Sequence, residues 1–219
     1  MQGLAIAERM SNYKNFVEDF PGRCERLLRA AGPIAERCGL EVTLLLMVAS
    51  TALVVPYERL KPKDKYIRAI EDRTRYEVAA KELADLLGKP FLGSVLWNVG
   101  RVASWASDHL STVSGQPDEW DELRNPLPLS PAETVGTVLT IIRNALAHGN
   151  LYTKANIRGT ITQLVFVAGR AVPDKIISPF RFVQVSPQDF RTLLRNWVSF
   201  LKGFEMSHGI LEGVLDEAA

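Results

Sequence analysis

The chain has 219 residues, of which 47% are hydrophobic and 23% charged, and its formal net charge is +1. That length supports one domain with a large core or two small ones, and the composition excludes a disordered polyelectrolyte. Near-neutrality excludes a bulk electrostatic hold on nucleic acid or on an anionic membrane, but leaves room for a local phosphate site.

The charge is uneven. Residues 1–75 and 141–219 each carry a net +3 and residues 76–140 a net −5, so an RNA backbone is not expected over the middle of the chain. Cys24 and Cys38 are the only cysteines. With no further cysteine or histidine pair to complete a zinc pattern, two reduced thiols are expected rather than a disulfide. The N-terminus lacks a basic stretch followed by an apolar one, so no signal peptide and a cytoplasmic location are expected.

Apolar residues at Phe16, Val17, Phe20, Cys24, Leu27, Leu28 and Ala31 predict a helix over Asn15–Ala31. Pro21-Gly22 is expected to kink or start it. A second stretch ends at Gly39, and Glu41 opens a very apolar helix that Pro56 stops or bends. Its apolar part, Val42–Val55, is shorter than the roughly 20 residues that span a bilayer. It reads as a buried core helix, and no membrane partner is expected.

Asp64–Leu87 reads as one long helix closed by Gly88-Lys89-Pro90. Phe91–Leu110 is predicted helical, with Val95, Leu96, Val99, Val102 and Trp105 inward. Ser111–Leu129, containing Gly115, Pro117, Pro126 and Pro128, reads as a loop. Ser130-Pro131-Ala132-Glu133 has the form of a capping box with proline at the first helical position. The helix it opens carries Val135, Val138, Leu139, Ile142 and Leu146, and should end at His148 with Gly149 as a left-handed cap.

Beyond this the period changes from 3.6 to 2. Thr160–Ala168 and Phe180–Val185 read as an antiparallel pair. Ser186-Pro187-Gln188-Asp189 repeats the cap pattern before a last helix with Phe190, Leu193, Leu194, Trp197, Val198, Leu201 and Phe204 on one face. The expected architecture is a single, mainly α domain over residues 1–219. Its helical core covers roughly 12–150, a small β-hairpin 160–185, and the C-terminal helix 187–204.

Arg143-Asn144-Ala145-Leu146-Ala147-His148-Gly149-Asn150, at the end of a strongly apolar helix, resembles the Arg-x4–6-His motif of the HEPN superfamily. The resemblance implies a helical domain of the kind found in metal-independent ribonucleases of toxin–antitoxin, abortive-infection and other defence systems. It implies RNA as substrate, a homodimer, an antitoxin or other protein partner, and neither cofactor nor metal. A catalytically silent module that binds nucleotide or protein is the alternative the same resemblance implies.

The motif has a physical logic of its own. Five positions along a helix turn about 500°, so Arg143 and His148 point about 140° apart. The two would not converge on one phosphate within a chain, and the resemblance implies a symmetric dimer in which the motifs of two protomers build a composite site. His148 is suited to proton exchange with a 2′-hydroxyl or a leaving 5′-oxygen. Arg143 is suited to a forked hold on the phosphate. Asn144 is suited to orienting the histidine or a phosphate oxygen. The competing reading is that basic residues at a helix C-terminus simply complement its dipole.

Lys61-Pro62-Lys63-Asp64-Lys65, with Tyr57 and Tyr66 nearby, reads as a solvated basic loop or a weaker RNA guide. Glu58-Arg59 reads as a surface ion pair or as a support behind the motif. His109 and His208 are expected at the surface, and Trp97, Trp105 and Trp197 in the core.

Overall fold

The computed structural model describes residues 16–60, 73–97, 105–110, 120–169 and 180–216, with side chains there apart from those of residues 16, 18, 73–76 and 204–216. In chain order the elements are α1 (Phe16–Arg37), α2 (Glu41–Ala52), α3 (Val54–Leu60), α4 (Arg73–Leu87), β1 (Ala106–Leu110), α5 (Asp121–Arg124), α6 (Val135–His148), β2 (Leu151–Ala155), β3 (Ile161–Gly169), β4 (Phe180–Val185) and α7 (Pro187–Asp216).

Helix α1 runs through both Pro21 and Pro33, so Pro21-Gly22 does not start it. Gly39, at φ 68°, makes the turn into α2, and Cys24 Sγ meets Thr51 Oγ1 across the resulting helical hairpin at 3.7 Å. By length and composition, Glu41–Leu60 could cross a membrane. In the fold, its buried residues Val42, Leu45, Val48, Ala49, Ala52, Leu53, Tyr57 and Leu60 belong to one core with α1, α6 and α7. The Trp197 indole, fully buried on α7, donates to the Ala52 carbonyl at 3.0 Å. Burying a side chain of this class contributes about 1.5–3 kcal/mol, and the indole N–H keeps a partner while doing so.

A four-stranded antiparallel sheet in the order β1-β4-β3-β2 replaces the expected hairpin. The predicted pair is its centre. One face, with Leu164, Phe166, Ala168, Val183 and Val185, joins the helical core, where Phe166 packs on Phe190 with ring centroids 4.8 Å apart. The other face, with Val165, Val167 and Phe182, buries Trp120 and Leu123 together with Leu110. Because both faces are covered, β3 is buried without interruption from Leu164 to Ala168 instead of alternating.

Phe91–Leu110 is not the predicted helix. Residues 91–97 form turns, and 106–110 form edge strand β1 against β4. The sequence Ala-Ser-Asp-His-Leu is a poor strand former on its own, so its state is imposed by the sheet edge it completes. Leu96, Trp97 and Trp105 are buried as expected, Phe91 stacking 5.0 Å from Trp105, but Val95 is exposed. Val99 and Val102 lie outside the described residues. Part of the expected loop is helical as well: α5 places Leu123 under the sheet.

The capping box also moves. Helix α6 begins at Val135, where Thr134 accepts the Thr137 N–H on its side chain at 3.1 Å. Ser130 instead organises the preceding turn, accepting from the Ala132 N–H, and Glu133 pairs with Arg181 on β4 rather than reaching back. The reason is tertiary. Residues 89–91 bridge to 133–135 through Phe91 N–H to the Glu133 carbonyl (2.7 Å) and Val135 N–H to the Lys89 carbonyl (2.9 Å). That extended pairing holds 133–134 out of the helix. The cap at Ser186 forms as expected, with the Asp189 N–H donating to Ser186 Oγ at 3.1 Å and Ser186 Oγ donating to the Asp189 carboxylate at 2.7 Å.

Candidate active site at the end of helix α6

The motif sits on the last turns of α6, which packs on α2, α3, α4 and the inner face of the sheet. Val135, Val138, Leu139, Ile142, Ala145 and Leu146 anchor its buried side. Gly136 lets the end of α4 approach closely: a Cβ there would lie 2.9 Å from the Leu87 carbonyl oxygen. The helix ends as expected. Gly149 takes the left-handed conformation at φ 73°, its N–H reaches the Ala145 carbonyl, and the chain turns directly into β2. His148 is thereby fixed on a rigid helix end beside a strand.

Helix α3 lies along α6 and meets it through two consecutive side chains. Tyr57, buried, shares a hydrogen bond with Thr140 at 3.2 Å. Glu58 Oε1 lies 2.5 Å from Arg143 Nε, with the two side chains 30% and 21% exposed. The Nε–H direction does not meet the geometry of a hydrogen bond, so this is a close charge contact. Arg143 Nη1 donates to Asn144 Oδ1 at 2.6 Å. Nε and Nη1 are thus each engaged, on the two different edges of the guanidinium, and Nη2 is the nitrogen without a hydrogen-bond partner among the described residues.

Asn144 is therefore engaged with Arg143, not with His148. His148 is exposed, and its side chain makes no hydrogen bond or ion pair among the described residues. On one helix the five-residue spacing sets Arg143 and His148 about 140° apart. Lys61, Lys63, Lys65 and Tyr66 lie outside the described residues, and so does the side chain of His208; His109 is at the surface. Of the two readings of Glu58-Arg59, surface ion pair or support behind the motif, the fold places Glu58 against Arg143. Among the described residues no three or more His, Cys, Asp or Glu gather as metal ligands do.

A family model described as HEPN pEK499 p136 matches residues 10–205. No curated protein and no solved structure matches the chain.

Proposed function

The chain belongs to the HEPN pEK499 p136 family, and from that premise we propose that it is a metal-independent endoribonuclease with a composite site at a homodimer interface. The observation that supports this most is the contrast within the motif. Arg143 is held at two nitrogens by Glu58 and Asn144, while the side chain of His148 stands exposed and unengaged about 1.4 turns further on. An arginine fixed in orientation beside a free imidazole suits phosphate binding and proton transfer at a surface shared by two subunits.

In the proposed reaction, the His148 of one subunit takes the 2′-hydroxyl proton as O2′ bonds to phosphorus. The same residue of the second subunit protonates O5′ as the P–O5′ bond breaks. The Nη2 group of each Arg143 guanidinium stabilises charge on the pentacoordinate phosphorus. The products are a 2′,3′-cyclic phosphate and a 5′-hydroxyl. The nucleophile belongs to the substrate, so no metal is required to generate it. A toxin or defence effector with an antitoxin or other protein partner, in the cytoplasm, is the setting we infer.

A second reading has an observation of its own. The Glu58 carboxylate already offsets the charge of Arg143, which suits a module that binds nucleotide or protein without cutting. Incubation of the protein with matched RNA and DNA strands in EDTA separates the two. The nuclease reading expects RNA fragments with 2′,3′-cyclic phosphate ends and intact DNA. Intact RNA, or equal cleavage of DNA, overturns it.

A further inference from the structure

A second constellation of arginines lies away from the α6 motif and shares no residue with it. Helices α1 and α7 leave between them a cleft of about 190 Å³, lined by Arg29, Arg191 and Arg195 and by an apolar set, Leu28, Ala52, Leu194 and Val198. Arg191 and Arg195 are spaced i, i+4 on α7, so their side chains leave the same face of the helix. Arg29 reaches the cleft from α1.

The electrostatics are unbalanced. Glu25 is the one carboxylate among the lining residues, and it is engaged at its two oxygens, by Arg29 at 3.5 Å and by Lys202 at 3.4 Å. Arg191 and Arg195 have no ion-pair or hydrogen-bond partner among the described residues. More pointedly, Arg191 Nε is shielded from solvent and has no acceptor. A shielded guanidinium donor without a protein acceptor is costly, and a ligand oxygen in the cleft would supply one.

We propose that this cleft binds a phosphomonoester, its phosphate held by Arg191 and Arg195 with support from Arg29, and its apolar substituent resting on Leu28, Ala52, Leu194 and Val198. Charge selects the class. Three guanidiniums against one carboxylate leave a double positive excess, which matches a phosphomonoester near its dianion form rather than a phosphodiester or a carboxylate. Guanidinium forks also satisfy several tetrahedral oxygens at once, where a carboxylate offers two. The apolar set disfavours inorganic phosphate alone as the preferred occupant. Nothing in this proposal depends on whether the chain cleaves RNA.

The test is calorimetric titration of the full chain with phenyl phosphate, methyl phenyl phosphate, benzoate and inorganic phosphate. Saturable binding of phenyl phosphate, tighter than that of the other three, is expected. Arg195→Gln, at an exposed position that folding does not depend on, should weaken it about tenfold, as loss of one charge-assisted contact does. Arg191→Gln should weaken it at least as much, with unchanged far-ultraviolet circular dichroism. If Arg191→Gln misfolds, the Arg195→Gln result decides alone. Benzoate or the diester binding equally well, an unaffected Arg195→Gln, or no saturable binding would each overturn the assignment.

Discussion

Glu58 and Arg143, distant in sequence, meet 2.5 Å apart where α3 lies against α6, one residue after the Tyr57–Thr140 hydrogen bond that joins the same two helices. The contact gives the motif arginine one orientation. Under the proposed function, Glu58 is a positioning residue for Arg143 and not a group that touches substrate.

Glu58→Gln should therefore lower RNA cleavage about tenfold, the scale of a lost charge-assisted contact, and should cost about 1 kcal/mol in urea unfolding, since the pair is partly exposed. In an Arg143→Ala background the same substitution should change activity little. A double-mutant cycle measures this directly, and additive losses would show that Glu58 acts elsewhere.

The two serines predicted as caps, Ser186 and Ser130, provide a contrast. Ser186 donates to and accepts from the Asp189 unit at the start of α7, so Ser186→Ala should cost about 1 kcal/mol. Thr134 is the working cap of α6, so Thr134→Ala should cost a similar amount, whereas Ser130→Ala should stay within about 0.5 kcal/mol. Thermal or chemical denaturation of the three variants checks the order.

What the sequence conveys about this fold divides along the same line. Wherever local chemistry decides, the reading holds: the Gly149 stop of α6, the Ser186 cap, the apolar α2 and the two central strands. Wherever distant segments decide, it does not. Residues 106–110 become a strand because β4 needs an edge partner, and residues 133–134 stay extended because 89–91 pair with them. At the site, the placement of Arg143 and His148 on the last turns of α6 is legible, whereas Glu58-Arg59 reads from sequence as either a support behind the motif or a surface ion pair, and the Glu58–Arg143 contact itself is not legible. The contact depends on where α3 docks, which no local pattern encodes.

The two special glycines should respond differently. Gly149 sits at φ 73° with open space around its missing Cβ, so Gly149→Ala should cost about 1 kcal/mol through backbone strain, near 2–4 °C in Tm for a chain this size. Gly136→Ala should cost more, because the new methyl would meet the Leu87 carbonyl oxygen at 2.9 Å. Scanning calorimetry distinguishes the two.

Thiol chemistry provides a probe of the core. Cys24 is buried, and burial raises its pKa, a shift that the Thr51 hydrogen bond partly offsets. A raised pKa leaves less thiolate near neutral pH, so Cys24 should react slowly with a disulfide reagent, while exposed Cys38 reacts fast. Kinetic labelling should show one rapid thiol per chain, the second appearing on denaturation. Two rapid thiols would mean that α1 and α2 separate readily.

The most direct measurement compares wild type and His148→Ala for RNA cleavage in EDTA, at equal concentration and with dimer content and helicity monitored. Because His148 is exposed and its side chain engages no described residue, the substitution should leave fold and assembly intact. The expected result is loss of cleavage by at least about a hundredfold, the lower range for removing a general acid–base group. Cleavage at the wild-type rate by His148→Ala would contradict the assignment of the chemistry to this motif.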